Sequence, residues 1–133
     1  WEHRILDSLH LPDLEMDRQI LIENLRLRVN LDGNTPNCIK EVKTYQWVKK
    51  WKKTPQKYIN QVQVQMFASG IYRADIVAYG LEEADYDNFL RPIDPERLQE
   101  IPVAYDPKWV ETVYLPKHME LCNCLMRGVF PSV

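Results

Sequence analysis

The sequence predicts an α/β fold with a central mixed β-sheet flanked by helices. Three stretches indicate it: the strictly alternating run "LRLRVNLD", the helical pattern of "PQKYINQVQVQMFASG", and "ADIVAYG", which is apolar on both faces. With 133 residues, 45% of them apolar, the chain can bury one core, so we expect a single domain over residues 1–133. Because the chain begins at Trp1, we expect a fragment, a processed product or the ordered part of a longer protein that has an upstream N-terminal segment.

The first third of the chain predicts a short helix and two strands. Residues 2–9 place apolar side chains at helical spacing, and Pro12 ends this helix. "QILIE" and "LRLRVNLD" predict two strands joined near Glu23-Asn24. In the second strand the odd-numbered apolar side chains share one face and the polar ones share the other, which ends in the carboxylate of Asp32.

The middle third predicts a turn, a strand and a long helix. Asp32-Gly33-Asn34 is a turn signal, and "CIKEVKTY" predicts the next strand, with Glu41 and Lys43 on one face. Residues 47–53 are basic and aromatic and predict a loop or irregular helix. Thr54-Pro55 predicts an N-cap followed by proline at the first helical position, and Gly70 predicts the end of that helix.

The last third predicts two strands and a helical region. "ADIVAYG" predicts a buried central strand, and the acidic residues 81–96 predict a surface connection. "RLQEIPVAY" predicts an edge strand, since Pro102 lacks the amide that an interior strand needs. Asp106-Pro107 caps a final helical region to Arg127, interrupted at Pro116.

Charge and cysteine content limit the environment of the protein. Seven of the nine lysines fall within residues 40–57, so this segment attracts a polyanion although the net charge is −2. The three cysteines form an odd set that favours a reducing compartment. No apolar run approaches the roughly 18 to 20 residues that cross a bilayer, so we expect no membrane association.

Asp32, Glu41 and Lys43 are the candidate catalytic residues. Hydrolysis of a phosphodiester needs a hard divalent cation, and such ions prefer carboxylate, carbonyl and water oxygens. Asp32 and Glu41 supply carboxylates, the backbone carbonyl of Val42 is a third ligand, and Lys43 orients the attacking water or offsets charge in the transition state. The alternative is a solvated ion pair across an exposed hairpin.

The segments "LDG", "EVKT", "TPQKYINQVQVQMFASG" and "ADIVAY" together resemble the YqaJ-like viral recombinases of the phage lambda exonuclease type, within the PD-(D/E)xK nuclease superfamily. The resemblance runs from about Glu2 to Tyr79. It implies a restriction-endonuclease-like core and a Mg²⁺- or Mn²⁺-dependent exodeoxyribonuclease that acts on linear duplex DNA in phage-type recombination. It also implies a single-strand annealing protein as partner, a homo-oligomeric ring, and the cytoplasm of a bacterial or phage-infected cell.

The resemblance also implies roles for individual residues. Asp32, Glu41 and Lys43 match the family's catalytic residues, and the Val42 carbonyl matches its backbone metal ligand. Gln61 matches the conserved glutamine beside the active site, and Glu2 falls where the first helix presents an acidic residue near the metals. An endonuclease of the same fold, or a non-catalytic DNA-binding or docking module, is the alternative function. The expected DNA contacts are Lys49, Lys50, Lys52, Lys53, Tyr58 and Gln65.

Overall fold

The computed structural model of the protein describes residues 1–128, so the last five residues of the predicted domain lie outside the described residues. It contains one five-stranded sheet in the order β1-β2-β3-β4-β5, flanked by helices, and this confirms the predicted α/β class. The strands are β1 (Glu15–Ile22), β2 (Leu27–Asn34), β3 (Ile39–Gln46), β4 (Arg73–Leu81) and β5 (Leu98–Ala104). The helices are α1 (Glu2–Asp7), α2 (Gln56–Ser69), α3 (Glu83–Asp87), α4 (Pro107–Trp109) and α5 (Leu115–Arg127).

Strand pairing follows the connections between the strands. The β1-β2, β2-β3 and β4-β5 pairs are antiparallel and have short or irregular connections, whereas β3 and β4 are parallel. A parallel pair needs a crossover connection, and α2 supplies it. The predicted central position of "ADIVAYG" and the predicted edge position of the strand that contains Pro102 are both confirmed.

Two apolar cores lie on the sheet, because alternate residues of its strands point to opposite faces. Short α1 covers one core, and the long α2 covers the other. The first core consists of Ile5, Leu6, Val42, Val77, Tyr79 and Leu81. The second consists of Leu31, Ile39, Val62, Met66, Ala74 and Ile76.

The predicted turn at Asp32-Gly33-Asn34 is wrong, because Gly33 and Asn34 continue β2. The chain reverses at residues 35–38, where the Thr35 amide donates to the Cys38 carbonyl at 2.8 Å. Gly33 is needed for packing: a Cβ there would lie 3.0 Å from a side-chain methyl of Leu6 on α1. The glycine therefore permits the close approach of α1 to the sheet. Because β2 continues to Asn34, Asp32 lies within the strand.

The predicted start of α2 is wrong by one residue. Pro55 is the N-cap residue, the helix begins at Gln56, and no side chain caps it. Its predicted end is confirmed, since Gly70 adopts the left-handed conformation with φ of 72°. The side chain of Asp106 accepts the Trp109 amide at 3.0 Å, which confirms the predicted cap of the last helical region. A π-helical segment, Val110–Tyr114, precedes Pro116 and marks the predicted interruption.

The acidic connection after β4 lies mostly at the surface, as predicted, but it contains α3 and one buried carboxylate. Asp85 on α3 is fully buried, and its carboxylate accepts a hydrogen bond of 2.5 Å from the guanidinium of Arg97. Burial disfavours the charged form of Asp85, but the bond from Arg97 and the Glu82 amide hold its pKa below the usual value. Arg97 also donates to the Gly80 carbonyl at 2.8 Å, so the ion pair joins this connection to the end of β4.

Candidate active site

Strands β2 and β3 separate beside the predicted catalytic residues. Their pairing covers Gly33 with Lys40 and Asn34 with Ile39, and it stops before Asp32 and Glu41. The Val42 amide, which a continued ladder would pair with β2, instead donates to Oδ2 of Asp32 at 2.9 Å. Because the amide and carbonyl of a strand residue point to the same side, the Val42 carbonyl also faces Asp32.

Three polar side chains hold the Glu41 carboxylate. The residue is only 3% exposed. Gln61 Nε2 donates to Oε1 at 3.1 Å, and Gln65 Nε2 donates to Oε2 at 2.8 Å. The ammonium of Lys43 lies 3.4 Å from Oε1. These contacts satisfy a buried charge that would otherwise be costly.

The charge of Glu41 perturbs the Asp32 carboxyl group. Burial, and next the charge of Glu41, raise the pKa of Asp32 from 3.8 to about 6. The influence of the Glu41 charge on Asp32 indicates that the two carboxyl groups are close enough to interact. The charged form of Asp32 is therefore disfavoured, and a cation between the two carboxyl groups would stabilise it.

The donor set fits a hard divalent cation. Asp32, Glu41 and the Val42 carbonyl present oxygen atoms, which are the ligands that Mg²⁺ and Mn²⁺ prefer. Among residues 1–128 no three His, Cys, Asp or Glu side chains come together as a metal-binding group, so a cation here would complete its coordination with the carbonyl and water. Burial, and then the charge of Asp32, raise the pKa of Glu2, and its role as a metal ligand stays a prediction.

Lys43 lies between the carboxylate and an aromatic ring. Its ammonium is 4.7 Å from the ring centroid of Tyr58, within the range of a cation–π interaction. The ammonium of Lys57 lies 5.0 Å from the same ring. The first turn of α2 therefore positions the predicted catalytic lysine through Tyr58, one of the residues that we expected to contact DNA.

The aromatic residues of the basic segment 47–53 pack against the sheet and the start of α2. Trp47 packs so closely on Gly80 of β4 that a Cβ there would lie 2.3 Å from its indole. Trp51 lies between Tyr45 and Tyr58, with ring centroids 5.0 and 5.6 Å away. The ammonium of Lys50 lies 5.4 Å from the ring centroid of Trp47. The exposed lysines of the segment are Lys49, Lys50, Lys52 and Lys53.

Gln65 is buried, which does not fit the DNA contact expected from the sequence. It is 2% exposed, and it donates to Glu41 and to the main-chain carbonyl of Asn30 at 3.0 Å. The sequence pattern missed this role, although the four-residue spacing of Gln61 and Gln65 places both on one helix face. The Val42 amide bond to Asp32 was also missed, and no sequence pattern indicates it.

Two other expectations concern the environment of the protein. Within the described part of the chain the three cysteines, Cys38, Cys122 and Cys124, are free thiols. No helix among residues 1–128 has the length and apolar character needed to cross a membrane.

Several solved structures share this fold. An alkaline exonuclease, LHK-Exo, from Laribacter hongkongensis matches with a TM-score of 0.63 and 17% identity over 95% of this chain and 64% of that chain. LHK-Exo in complex with dAMP matches with a TM-score of 0.62 at 17% identity. A phage-related exonuclease from Haemophilus somnus 129PT matches with a TM-score of 0.67 and 13% identity, over 96% of this chain and 69% of that chain.

No protein-family model and no curated protein matches the chain. The chain spans 64% of the length of LHK-Exo. Sequence identities of 13% and 17% show a shared fold alone. This chain therefore has the α/β fold of these exonuclease structures, which confirms the fold that the sequence resemblance implied.

Proposed function

We propose that this chain is a metal-dependent deoxyribonuclease of the YqaJ and lambda exonuclease type, within the PD-(D/E)xK superfamily. The observation that carries the proposal is the convergence of Asp32, Glu41 and Lys43 at the point where β2 and β3 separate. Gln61 from the crossover helix joins the same group. A solvated hairpin ion pair, the alternative from the sequence, would not bury Glu41 to 3% exposure.

Asp32, Glu41 and the Val42 carbonyl would hold Mg²⁺ or Mn²⁺. Such a cation, when bound, polarises the phosphoryl oxygen and lowers the pKa of water. The chain's own residues fix the geometry: the Val42 amide orients the Asp32 carboxylate, and two glutamine amides orient Glu41. Holding these groups in advance reduces the reorganisation that the reaction requires.

Lys43 acts on the nucleophile and on the developing charge. Contact with Glu41 and with the ring of Tyr58 restricts its ammonium, while 19% of its side chain remains exposed. An ammonium has three donors, so Lys43 can orient the attacking water and also stabilise negative charge that builds on the phosphate.

The substrate that best fits the surroundings is DNA. Four exposed lysines next to the site attract the phosphate backbone. The fold shared with exonucleases, one of them solved with dAMP, supports removal of nucleotides from the end of linear duplex DNA. A single-strand annealing protein and further copies of the chain in a ring belong to the same proposal as partners.

The proposal is tested by nucleotide release from linear and closed circular duplex DNA, with and without Mg²⁺. We expect release from the linear form only, dependent on the metal, and reduced at least about 100-fold in Asp32→Asn and Lys43→Met. Lys57→Met is the matched control, because Lys57 contacts the same tyrosine ring but not Glu41. Equal cutting of the circular form would indicate an endonuclease, and DNA binding without any cleavage would indicate a non-catalytic binding module.

A further inference from the structure

We propose that Gln65 is a positioning residue that fixes the Glu41 carboxylate for metal binding, rather than a DNA contact. This inference rests on the proposed function. Three glutamines follow one another at alternate positions on α2, and each has a different role in the structure. Gln61 is exposed and donates to Oε1 of Glu41, whereas Gln63 and Gln65 are buried.

The amide of Gln65 can take only one orientation. Its Nε2 lies 2.8 Å from Oε2 of Glu41 and 3.0 Å from the carbonyl oxygen of Asn30, so both amide hydrogens are used. A flipped amide would direct Oε1 at two acceptors and would repel both. The contacts therefore determine that Gln65 donates to Glu41.

The amide oxygen of Gln65 differs from that of a glutamine with a purely structural role. It is buried and has no hydrogen-bond donor among residues 1–128. Gln63, two residues earlier, is satisfied at both atoms: Nε2 donates to the Ala104 carbonyl at 2.8 Å, and Oε1 accepts the Asp106 amide at 2.7 Å. Gln63 therefore joins α2 to the end of β5. The amide nitrogen of Gln65 instead donates its hydrogen bonds to Glu41 and Asn30.

The two bonds of Gln65 span the gap where the strands separate. Asn30 lies on β2, two residues before Asp32, and Glu41 lies on β3. One amide nitrogen on α2 thus links both strands and fixes the distance between the two carboxylates. An amide is neutral, so it orients Glu41 without cancelling the charge that a cation needs. Outer partners of metal ligands have this role in known metal sites.

The test compares Gln65→Met and Gln65→Asn with the matched control Gln63→Met. Met has a similar length but no donor, and Asn keeps the amide but is too short to reach Glu41. We expect the Gln65 variants to bind Mn²⁺ about 10- to 100-fold more weakly by calorimetry, and to lower kcat by a similar factor. DNA affinity measured in EDTA should stay within about twofold of wild type, since no phosphate contact is lost. Gln63→Met should retain wild-type Mn²⁺ affinity.

Circular dichroism identifies variants that fold, and Gln65→Asn serves if the Met variant does not. Wild-type Mn²⁺ affinity in a folded Gln65 variant overturns the inference, as does a loss confined to DNA affinity. Equal weakening by Gln63→Met also overturns it, because the effect would then be a general loosening of α2. The Asp32→Asn variant separates the proposed nuclease function from the proposed role of Gln65. If Asp32→Asn abolishes Mn²⁺ binding but the Gln65 variants bind Mn²⁺ as wild type does, only the role of Gln65 fails. If wild type binds no Mn²⁺, the proposed function fails.

Discussion

Replacing Asp32 by asparagine should stabilise the metal-free protein at neutral pH, although it removes a proposed metal ligand. Burial and the charge of Glu41 raise the pKa of Asp32 from 3.8 to about 6. A carboxyl with a raised pKa in the folded state keeps its proton longer there than in the unfolded chain. The free energy of unfolding therefore decreases as pH rises from about 4 to about 6, and it stays lower above that range. Asparagine cannot ionise, and its Oδ1 can still accept the Val42 amide.

The magnitude follows from the change in proton affinity. Each tenfold change in proton affinity corresponds to about 1.4 kcal/mol. A rise in the pKa of Asp32 from 3.8 to about 6 therefore corresponds to roughly 3 kcal/mol. Asp32 is only half-buried, and solvent screening reduces this figure to about 1–2 kcal/mol. For a chain of 133 residues, that free energy corresponds to an increase in Tm of about 3–8 °C.

The assay is urea or thermal unfolding of both proteins in EDTA at about pH 4 and about pH 7.5. The quantity to compare is the difference in stability between variant and wild type, because carboxyl groups remote from Asp32 affect both proteins equally. We expect similar stability at the lower pH and a more stable variant at the higher pH. Excess Mn²⁺ should reverse the order by stabilising wild type alone. A variant that is less stable than wild type at both pH values in EDTA would refute the reasoning.

Three further predictions concern the scaffold and the basic segment. Gly80→Ala should cost about 1–3 kcal/mol and shift tryptophan fluorescence, because the new Cβ would lie 2.3 Å from the Trp47 indole; unchanged fluorescence would contradict this packing. Arg97→Met should cost about 3 kcal/mol in urea unfolding, since it leaves the buried Asp85 carboxylate with weaker compensation, and a cost below 1 kcal/mol would contradict it. Lys52→Ala should lower the slope of log DNA affinity against log salt by about 0.9, and an unchanged slope would exclude a phosphate contact.

The sequence predicts most of the sheet because its strands carry clear local patterns. The alternation of β2 and the apolar run of β4 depend on which faces are buried, and that period is visible without coordinates. The pairing of Glu41 and Lys43 on one face follows from the same period. The helical stripe of α2 also indicated that Gln61 and Gln65 lie together, since they are four residues apart.

The remaining features depend on contacts between residues distant in the sequence. Gly33 resembles a turn glycine, but its role is set by Leu6, which packs against it from α1. The burial of Asp85 depends on Arg97, which lies beyond the connection that the sequence predicted to be exposed. In the sequence Gln65 resembles a polar surface residue, but in the fold it is buried against β2 and β3. Each of these was set by tertiary packing, which local propensity does not report.

Anomalous diffraction from crystals soaked in Mn²⁺ tests the central claim most directly. We expect one strong peak about 2.0–2.3 Å from carboxylate oxygens of Asp32 and Glu41 and from the Val42 carbonyl, with the Lys43 ammonium beside it. No peak at this position, at a Mn²⁺ concentration that supports nucleotide release, would contradict a metal-dependent nuclease centre built on Asp32 and Glu41.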